Sequence, residues 1–571
     1  MSSPNPSSQP AYTSASNPAL VTQAAVVRLP RWALIGLCLS YILAGFVGRQ
    51  PWKTADISAF GFMRAMVSGE SGWMDPQFMG FRPEHDGVLA YWLGGASLSS
   101  FGGIMDAALA TRLPFMLMLG LVFYATWYAV YHLARQTAAQ PLSLAFGGEA
   151  KPSDYARAMA DAGLLALLAC LGLPLLSHEA TPSVVQLGLA ALMLYAVAAM
   201  PYRTLGPAIA LMIAAQGLVL SGAPILAVAW CLTGAVLHWL DGSDRAKRWT
   251  LILLVVALTS GFVAWVWDAW RWRLDFPQGT FAWKESFKLL FWFGWPALPL
   301  ALWSLWRWRL QWRRSQPAFH LVWPLAFALI AILSSLALQT AQRSLLLALP
   351  ALAALAAFAL PTLKRSVAAL VDWFTLLFFS GCAIVVWVVW ISMQTGIPAQ
   401  PARNVARLAP GFVHEFSPLL FVIALVATAA WGWLVVWRVG RNRAAIWKSL
   451  VLPAGGATLS WVLLMTLWLP LLDHARSYAP MVQRIRAEVP KSECVLEYGL
   501  NAAKITALQH HGGYRVYRFD SPAPCLNVIV DQDARIPFEA LNLLGYWKPV
   551  KTVARLSDDS ESVMIYRRLH P

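Results

Sequence analysis

Asp56, Glu70, Asp75, Glu84 and Asp86 share the stretch 49–108 with His85 and with the cations Lys53, Arg64 and Arg82. Carboxylates beside cations suit two tasks. A carboxylate takes a proton from an acceptor hydroxyl as a general base. Arg, Lys or His holds a phosphate and stabilises its charge as it leaves. The plain alternative is a polar loop with solvated charges, which explains any single residue better than it explains the whole constellation. A second candidate stretch, 268–288, carries Arg271, Arg273, Lys284 and Lys288 close to Trp267, Trp270, Trp272 and Trp283. That composition fits an anionic lipid headgroup, or else an aromatic belt with snorkelling arginines. His178 and Glu179 are neighbours, but two adjacent ligands do not make a metal site, and a hydrogen-bonded loop pair is the preferred reading. His510 and His511 precede Gly512 and Gly513 and read as a turn.

The elements that must position these residues are mostly apolar. Of 571 residues, 58% are hydrophobic and 13% charged, with mean hydropathy +0.54. A soluble domain carries about 25% charged residues. The 30 tryptophans suit a membrane–water interface. A hydrocarbon core about 30 Å thick needs roughly 20 apolar residues per crossing, and about thirteen such runs fit. They lie near 32–48, 109–133, 160–176, 184–200, 206–220, 223–240, 250–267, 289–306, 320–338, 344–361, 366–391, 418–437 and 449–472.

The net charge of +16 falls in short clusters between these runs: Arg28/Arg31, Arg245/Lys247/Arg248, Arg307/Arg309/Arg313/Arg314, Lys364/Arg365 and Arg438/Arg441/Arg443. Such spacing marks cytoplasmic loops rather than a nucleic-acid footprint. With the N-terminus inside, an odd number of crossings puts the C-terminus outside and all these clusters inside. The expected fold is therefore an all-α polytopic membrane protein with a small C-terminal α/β domain outside the cytoplasm. Residues 1–30 are expected to form a disordered cytoplasmic tail, and the first run an uncleaved span. The membrane part is 31–472 with a first outer loop at 49–108, and the outer domain is 473–571. Stretches 57–67 and 87–99 read as amphipathic helices along the interface.

Within the outer domain, 494–498, 515–518, 526–530 and 562–566 read as strands, and 478–488 as a helix. Cys38, Cys170, Cys231 and Cys382 lie in apolar runs and read as packing residues. Cys494 and Cys525 lie outside, where oxidising conditions permit a disulfide.

Four phrases go further. Asp56 is followed by AMVSGESGW (65–73) and RPEHDGVLAYWLGG (82–95); LLSHEATPSVV occupies 175–185 and AQRSLLLALPALAALAAF 341–358. With these the chain resembles the membrane-embedded glycosyltransferases of the C-type fold, which include the lipid A aminoarabinose transferases and the protein O-mannosyltransferases. The resemblance implies transfer of a sugar, with inversion, from a polyprenyl (undecaprenyl) phosphate to a lipid, glycan or protein acceptor at the outer face of a bacterial inner membrane. It makes Asp56 the catalytic base, although Asp56 sits one residue off the commonest family spacing to Met66. Relatives often carry Glu-Lys-Pro before the Tyr-Trp phrase, the lysine meeting the carrier phosphate. Here His85-Asp86-Gly87 stands instead, so Arg82, His85, Arg271, Arg273 or Arg343 has to supply that charge. Glu84, Asp86, Tyr91, His178 and Glu179 are candidates for supporting the acceptor, Glu179 being the one carboxylate in its short loop. No cofactor is required by this reading, a divalent metal is compatible with it, and nucleic acid is not an expected partner. A transporter or flippase of a lipid-linked glycan is the competing class. It calls for charges and broken helices at the midplane, often in repeated halves. The sequence has no such repeat, and Asp372, near one end of its run, is the clearest charge within a span.

Overall fold

The computed structural model describes residues 17–569 except 53, 84–86, 143–146, 271–278, 314–317, 338–340, 440–444, 492, 542–544 and 556–557. The protein is a helical membrane bundle followed by a mixed β-sheet domain. Every apolar run named above carries a helix. Among the described residues seven helices are long and apolar enough to cross a membrane, or nine if two bent pairs each count once. The pairs are Trp283–Phe293 with Ala297–Arg307, bent by 89°, and Lys448–Leu464 with Leu469–Arg476, bent by 70°. Arg31–Phe46, Leu205–Leu220 and Leu349–Thr362 are apolar but shorter.

Burial sorts these helices. Pro182–Ala199 is buried along almost all of its length and forms the bundle's centre. Pro418–Val439 and Arg365–Thr395 leave Leu419, Val426, Trp433, Leu370 and Leu377 exposed. Large apolar side chains exposed in this way are what a lipid solvent requires.

Four helices position the first loop: α1 (Arg31–Phe46), α2 (Ala55–Val67), α3 (Leu89–Phe101) and α4 (Ala107–Ala134). The Asp106 carboxylate caps α4 by accepting from the Leu109 N–H at 3.1 Å. Stretches 57–67 and 87–99 are thus helical as expected, but α2 is buried nearly all round rather than half exposed to the interface. Phe62 packs on Tyr91 of α3 on one side, while on the other Phe60 packs against His510 of the C-terminal domain. Gly61 permits this clamp, since a Cβ there would lie 2.0 Å from Thr506 Oγ1. Arg64 stays exposed, but Asp56 is buried against Arg49 and Arg112 and the Phe60–Gly61 side is covered by a domain whose docking hydropathy alone does not reveal.

The tail expected to be disordered through residue 30 is packed from Asn17 onward. Ala19, Val21 and Val26 are buried, and residues 21–25 exchange backbone hydrogen bonds with 148–150 and Ile446. Satisfied backbone groups and buried apolar side chains outweigh the local polarity of this short stretch. Residues 1–16 lie outside the described residues.

In the C-terminal domain, β1 (Val495–Tyr498), β2 (Val516–Arg518), β3 (Asn527–Asp531), β4 (Trp547–Arg555) and β5 (Asp558–Arg568) form one sheet in the order β2-β1-β3-β5-β4. β1 runs parallel to β2 and β3, and β5 antiparallel to β3 and β4. The four expected strands are present, and β4 is the one the sequence pattern does not announce. It is an edge strand with Pro549 at a register shift and Lys548 and Lys551 beside it, which is how edges are protected against further pairing. His510 and His511 sit in a π-helical turn, Leu508–Gly512, closed by Gly513. Cys494 and Cys525 form a disulfide with Cα atoms 5.3 Å apart, across a sequence separation of 31. Reduction should destabilise this domain by about 3–4 kcal/mol on chain-entropy grounds. Thermal unfolding with and without dithiothreitol checks this; identical midpoints would contradict it.

Candidate active site

Asp56 lies in the first turn of α2, where the helix dipole favours an acid. Its carboxylate is 1% exposed and fully engaged. Oδ2 accepts from Arg49 Nη2 at 3.1 Å, Arg112 Nη2 at 3.2 Å and the Trp52 N–H at 3.2 Å. Oδ1 accepts from the Ala180 N–H at 2.9 Å. Burial pushes its pKa up, but Arg112, Arg49 and the Ala180 and Trp52 N–H groups outweigh burial and hold it below the ordinary value. Asp56 is therefore ionised at neutral pH.

The two arginines join four segments. Arg49 leaves α1, stacks over Trp52 at 4.6 Å and donates to the His178 carbonyl at 2.5 Å. Arg112, in the second turn of α4, also donates to the Arg49 carbonyl. Trp52 Nε1 donates to Asp473 at 2.6 Å, and Arg476 stacks on the same indole at 5.2 Å. The last membrane helix is thereby tied to the exit of the first.

Beside this cluster lies a small cleft lined by Ser58, Tyr91, Thr181, Ser183 and Arg343, with Ala55, Ala59, Phe62 and Pro182. Arg343 pairs with Glu179 at 2.9 Å and keeps 23% of its side chain exposed. Burial raises the Glu179 pKa more than Arg343 lowers it, with Asp56 adding to the rise. Around this site several buried donors have no acceptor among the described residues: Arg49 Nε and Nη1, Arg343 Nε and the Thr181 hydroxyl. An oxygen-rich anion would supply the acceptors that these donors lack.

The expected residues separate into three groups. Arg343 and Tyr91 line the cleft, Glu179 pairs with Arg343, and Asp56 lies next to them in sequence and space through Ala55 of the cleft wall and the Ala180 N–H. Arg82 is exposed outside that cleft. Glu84, His85, Asp86, Arg271 and Arg273 lie outside the described residues. The described end of the 268–288 stretch does approach the first loop: Trp267 meets Trp92 of α3 at 5.8 Å, and Trp92 Nε1 donates to the Trp73 carbonyl at 2.6 Å.

His178 is placed differently from the expectation that it supports the acceptor. Its ring is buried among Tyr41, Phe46 and Trp461. Nδ1 faces the Pro174 carbonyl at 2.5 Å and Nε2 the Tyr41 carbonyl at 3.0 Å. Gly45 makes room, since a Cβ there would lie 2.1 Å from the imidazole. Burial lowers the His178 pKa to about 3, against opposing carbonyl contacts. The buried ring turns its nitrogens to two carbonyls and does not line the cleft. It pins the loop that presents Ala180 to Asp56. Among the described residues no group of three His, Cys, Asp or Glu side chains forms a metal site.

Arg49, Arg112 and Asp473 were not singled out from sequence. Two of them carried a signal. Arg49 follows the first span, on the side that the expected topology makes the outer one, where positive residues are disfavoured, and Arg112 is an ionisable residue inside an apolar run. Asp473 had none, since its partners lie more than 400 positions away.

Fold and site together define a polytopic membrane protein with a buried Asp–Arg–Arg cluster and a C-terminal sheet domain. The chain is similar to ArnT from Cupriavidus metallidurans in the apo state, with TM-score 0.60 and 14% identity over 94% of this chain and 97% of that one. It is likewise similar to ArnT from the same organism bound to undecaprenyl phosphate, with TM-score 0.58 and 12% identity over 94% and 98% of the two chains. No family model and no curated protein sequence matches the chain. At these identities the likeness is one of fold.

Proposed function

We propose that this protein transfers a sugar from a polyprenyl phosphate to a lipid, glycan or protein acceptor at the outer face of a bacterial inner membrane. The observation that carries this reading is the set of unmatched buried donors beside an ionised carboxylate, Arg49, Arg343 and Thr181 next to Asp56. One of the two similar ArnT structures is bound to undecaprenyl phosphate, which is an anion of the required kind.

In this reading the acceptor hydroxyl attacks the anomeric carbon from the side opposite the phosphate. The carbon–oxygen bond to phosphate breaks, polyprenyl phosphate leaves with the electron pair, and the anomeric centre inverts. Asp56 takes the hydroxyl proton through Oδ1, the oxygen with the fewer bonds. A weak base suffices, because a hydroxyl joined to an electron-poor carbon is itself acidic. Arg343 meets the phosphate as its charge grows and exchanges its Glu179 partner for the ligand.

Topology belongs to the same proposal. The shorter helices, the bent pairs and Pro152–Leu168 complete thirteen crossings, with the N-terminus cytoplasmic and the sheet domain periplasmic. Domain limits are proposed at 31–472 and 473–571. The transporter alternative gains little, since the half-buried Asp372–Arg438 pair lies about two turns from the start of its helix, Arg365–Thr395, and not at its middle.

Arg343→Gln is expected to raise the KM for the lipid-linked donor about 10–100-fold, as a lost charged hydrogen bond would. Its kcat should change less. Steady-state kinetics of the purified protein reads this directly, and an unchanged donor KM would place the phosphate elsewhere.

A further inference from the structure

A second cavity, of about 440 Å³, is lined by Arg135, Tyr202, His238, Arg245, Trp249 and Gln311 among others. It lies far from the carboxylate cluster. Arg112 marks the Asp56 end of α4 and Arg135 follows its last residue, about 35 Å away at 1.5 Å per residue. The two sites therefore open at opposite faces of the membrane.

Two groups in this cavity lack a partner among the described residues. His238 is 6% exposed, and neither ring nitrogen has a hydrogen bond there; Gln311 is 1% exposed, and its Oε1 has none there. Gln311 Nε2 is held by the Ala138 carbonyl at 3.0 Å, which fixes the amide. Two guanidinium groups stand at the rim. Arg135 stacks on Tyr202 at 4.5 Å, and Arg245 spends one donor on the Pro201 carbonyl at 2.9 Å. Asp241, the acid in the lining, already accepts from the Ser243 hydroxyl at 2.8 Å. The unmet needs are thus an acceptor for arginine and imidazole N–H groups and a donor for the Gln311 oxygen. A phosphodiester with a free hydroxyl answers both. Basic pockets between spans at the cytoplasmic side bind such headgroups.

We infer that this cavity is a binding site for the headgroup of an anionic phospholipid of the leaflet opposite the Asp56 site. The shared chemistry, a phosphate ester, has two sources, lipid and soluble. The test is native mass spectrometry of the full-length protein titrated with dioleoyl phosphatidylglycerol, with dioleoyl phosphatidylcholine, and with excess inorganic phosphate as competitor. One phosphatidylglycerol is expected to bind ahead of the rest, and phosphatidylcholine should show no such event. Arg135→Gln combined with Arg245→Gln should weaken it about tenfold. Thr137→Trp, at an exposed lining position, should block the cavity with both arginines intact and give the same loss. Arg343→Gln, at the other face, should leave it unchanged, which separates this site from the proposed donor site. Undiminished phosphatidylglycerol binding in both cavity variants would overturn the inference. So would displacement by inorganic phosphate without selectivity between the two lipids, which would assign the cavity to a soluble phosphate.

Discussion

Purified Asp56→Asn protein is expected to lose sugar transfer by about 10²–10⁴-fold, the usual contribution of a positioned base. It is also expected to lose stability. The Arg49 and Arg112 side chains are 0% and 2% exposed, and both aim at Oδ2. Removing one partner of a buried pair costs about 3–5 kcal/mol, because the remaining charge stays out of water without compensation. Activity alone therefore cannot separate a base from an anchor. Adding Arg112→Met to Asp56→Asn removes one orphaned charge with a side chain of similar length, and should recover part of the stability. Transfer should stay absent in that double variant. Return of transfer along with stability would show that Asp56 serves only to hold the arginines. Acidity gives a second check. The folded pKa of Asp56 lies below its ordinary 3.8. Its stabilisation is then complete above that value and is lost as pH falls through the lower folded pKa. Any acid limb of activity near neutral pH must come from another group.

His178→Ala is expected to be the most destabilising change in the short loop, by about 3–5 kcal/mol, as for a buried aromatic truncated to alanine. The ring fills the space between Tyr41, Phe46 and Trp461, and no backbone shift closes such a gap fully. Two carbonyls, of Pro174 and Tyr41, lose their facing nitrogens. The loop then holds Ala180 less firmly against Asp56. His178→Gln keeps a donor for the Tyr41 carbonyl and much of the volume. It should retain over half the activity per folded molecule, with an unshifted pH profile. An altered pH profile in His178→Gln would instead mark the imidazole as part of the proton path.

The sequence was legible where one segment carries its own signal. Each apolar run located a helix of the membrane part, because each run must satisfy its backbone internally, whereas the polar helix Ala399–Leu408 lies outside every such run. The strands β1, β2, β3 and β5 showed through their β-branched and aromatic residues, whereas β4 was hidden by Pro549 and its lysines. Asp56, Tyr91, Glu179 and Arg343 stand in short phrases of the sequence; Tyr91 and Arg343 line one cleft, and Glu179 pairs with Arg343. What stayed hidden depends on contacts between distant segments. The clamp on α2 by Thr506 and His510, the Trp52–Asp473 tie and the burial of His178 leave no periodicity in the chain. Arg112 was visible as a lone charge in an apolar run, but only its distance to Asp56 gives it a role.

Sugar transfer from a polyprenyl phosphate, dependent on Asp56, is the central claim. It is tested most directly by incubating the purified protein with undecaprenyl-phosphate-linked sugars and lipids extracted from the host membrane, and following free undecaprenyl phosphate by mass spectrometry. The account predicts that the wild-type protein releases one undecaprenyl phosphate for each sugar moved to an acceptor. The Asp56→Asn protein, shown by thermal unfolding to be folded at the assay temperature, should release none above background. Release by the folded Asp56→Asn protein at the wild-type rate, or no consumption of any lipid-linked sugar by the wild type, would contradict it.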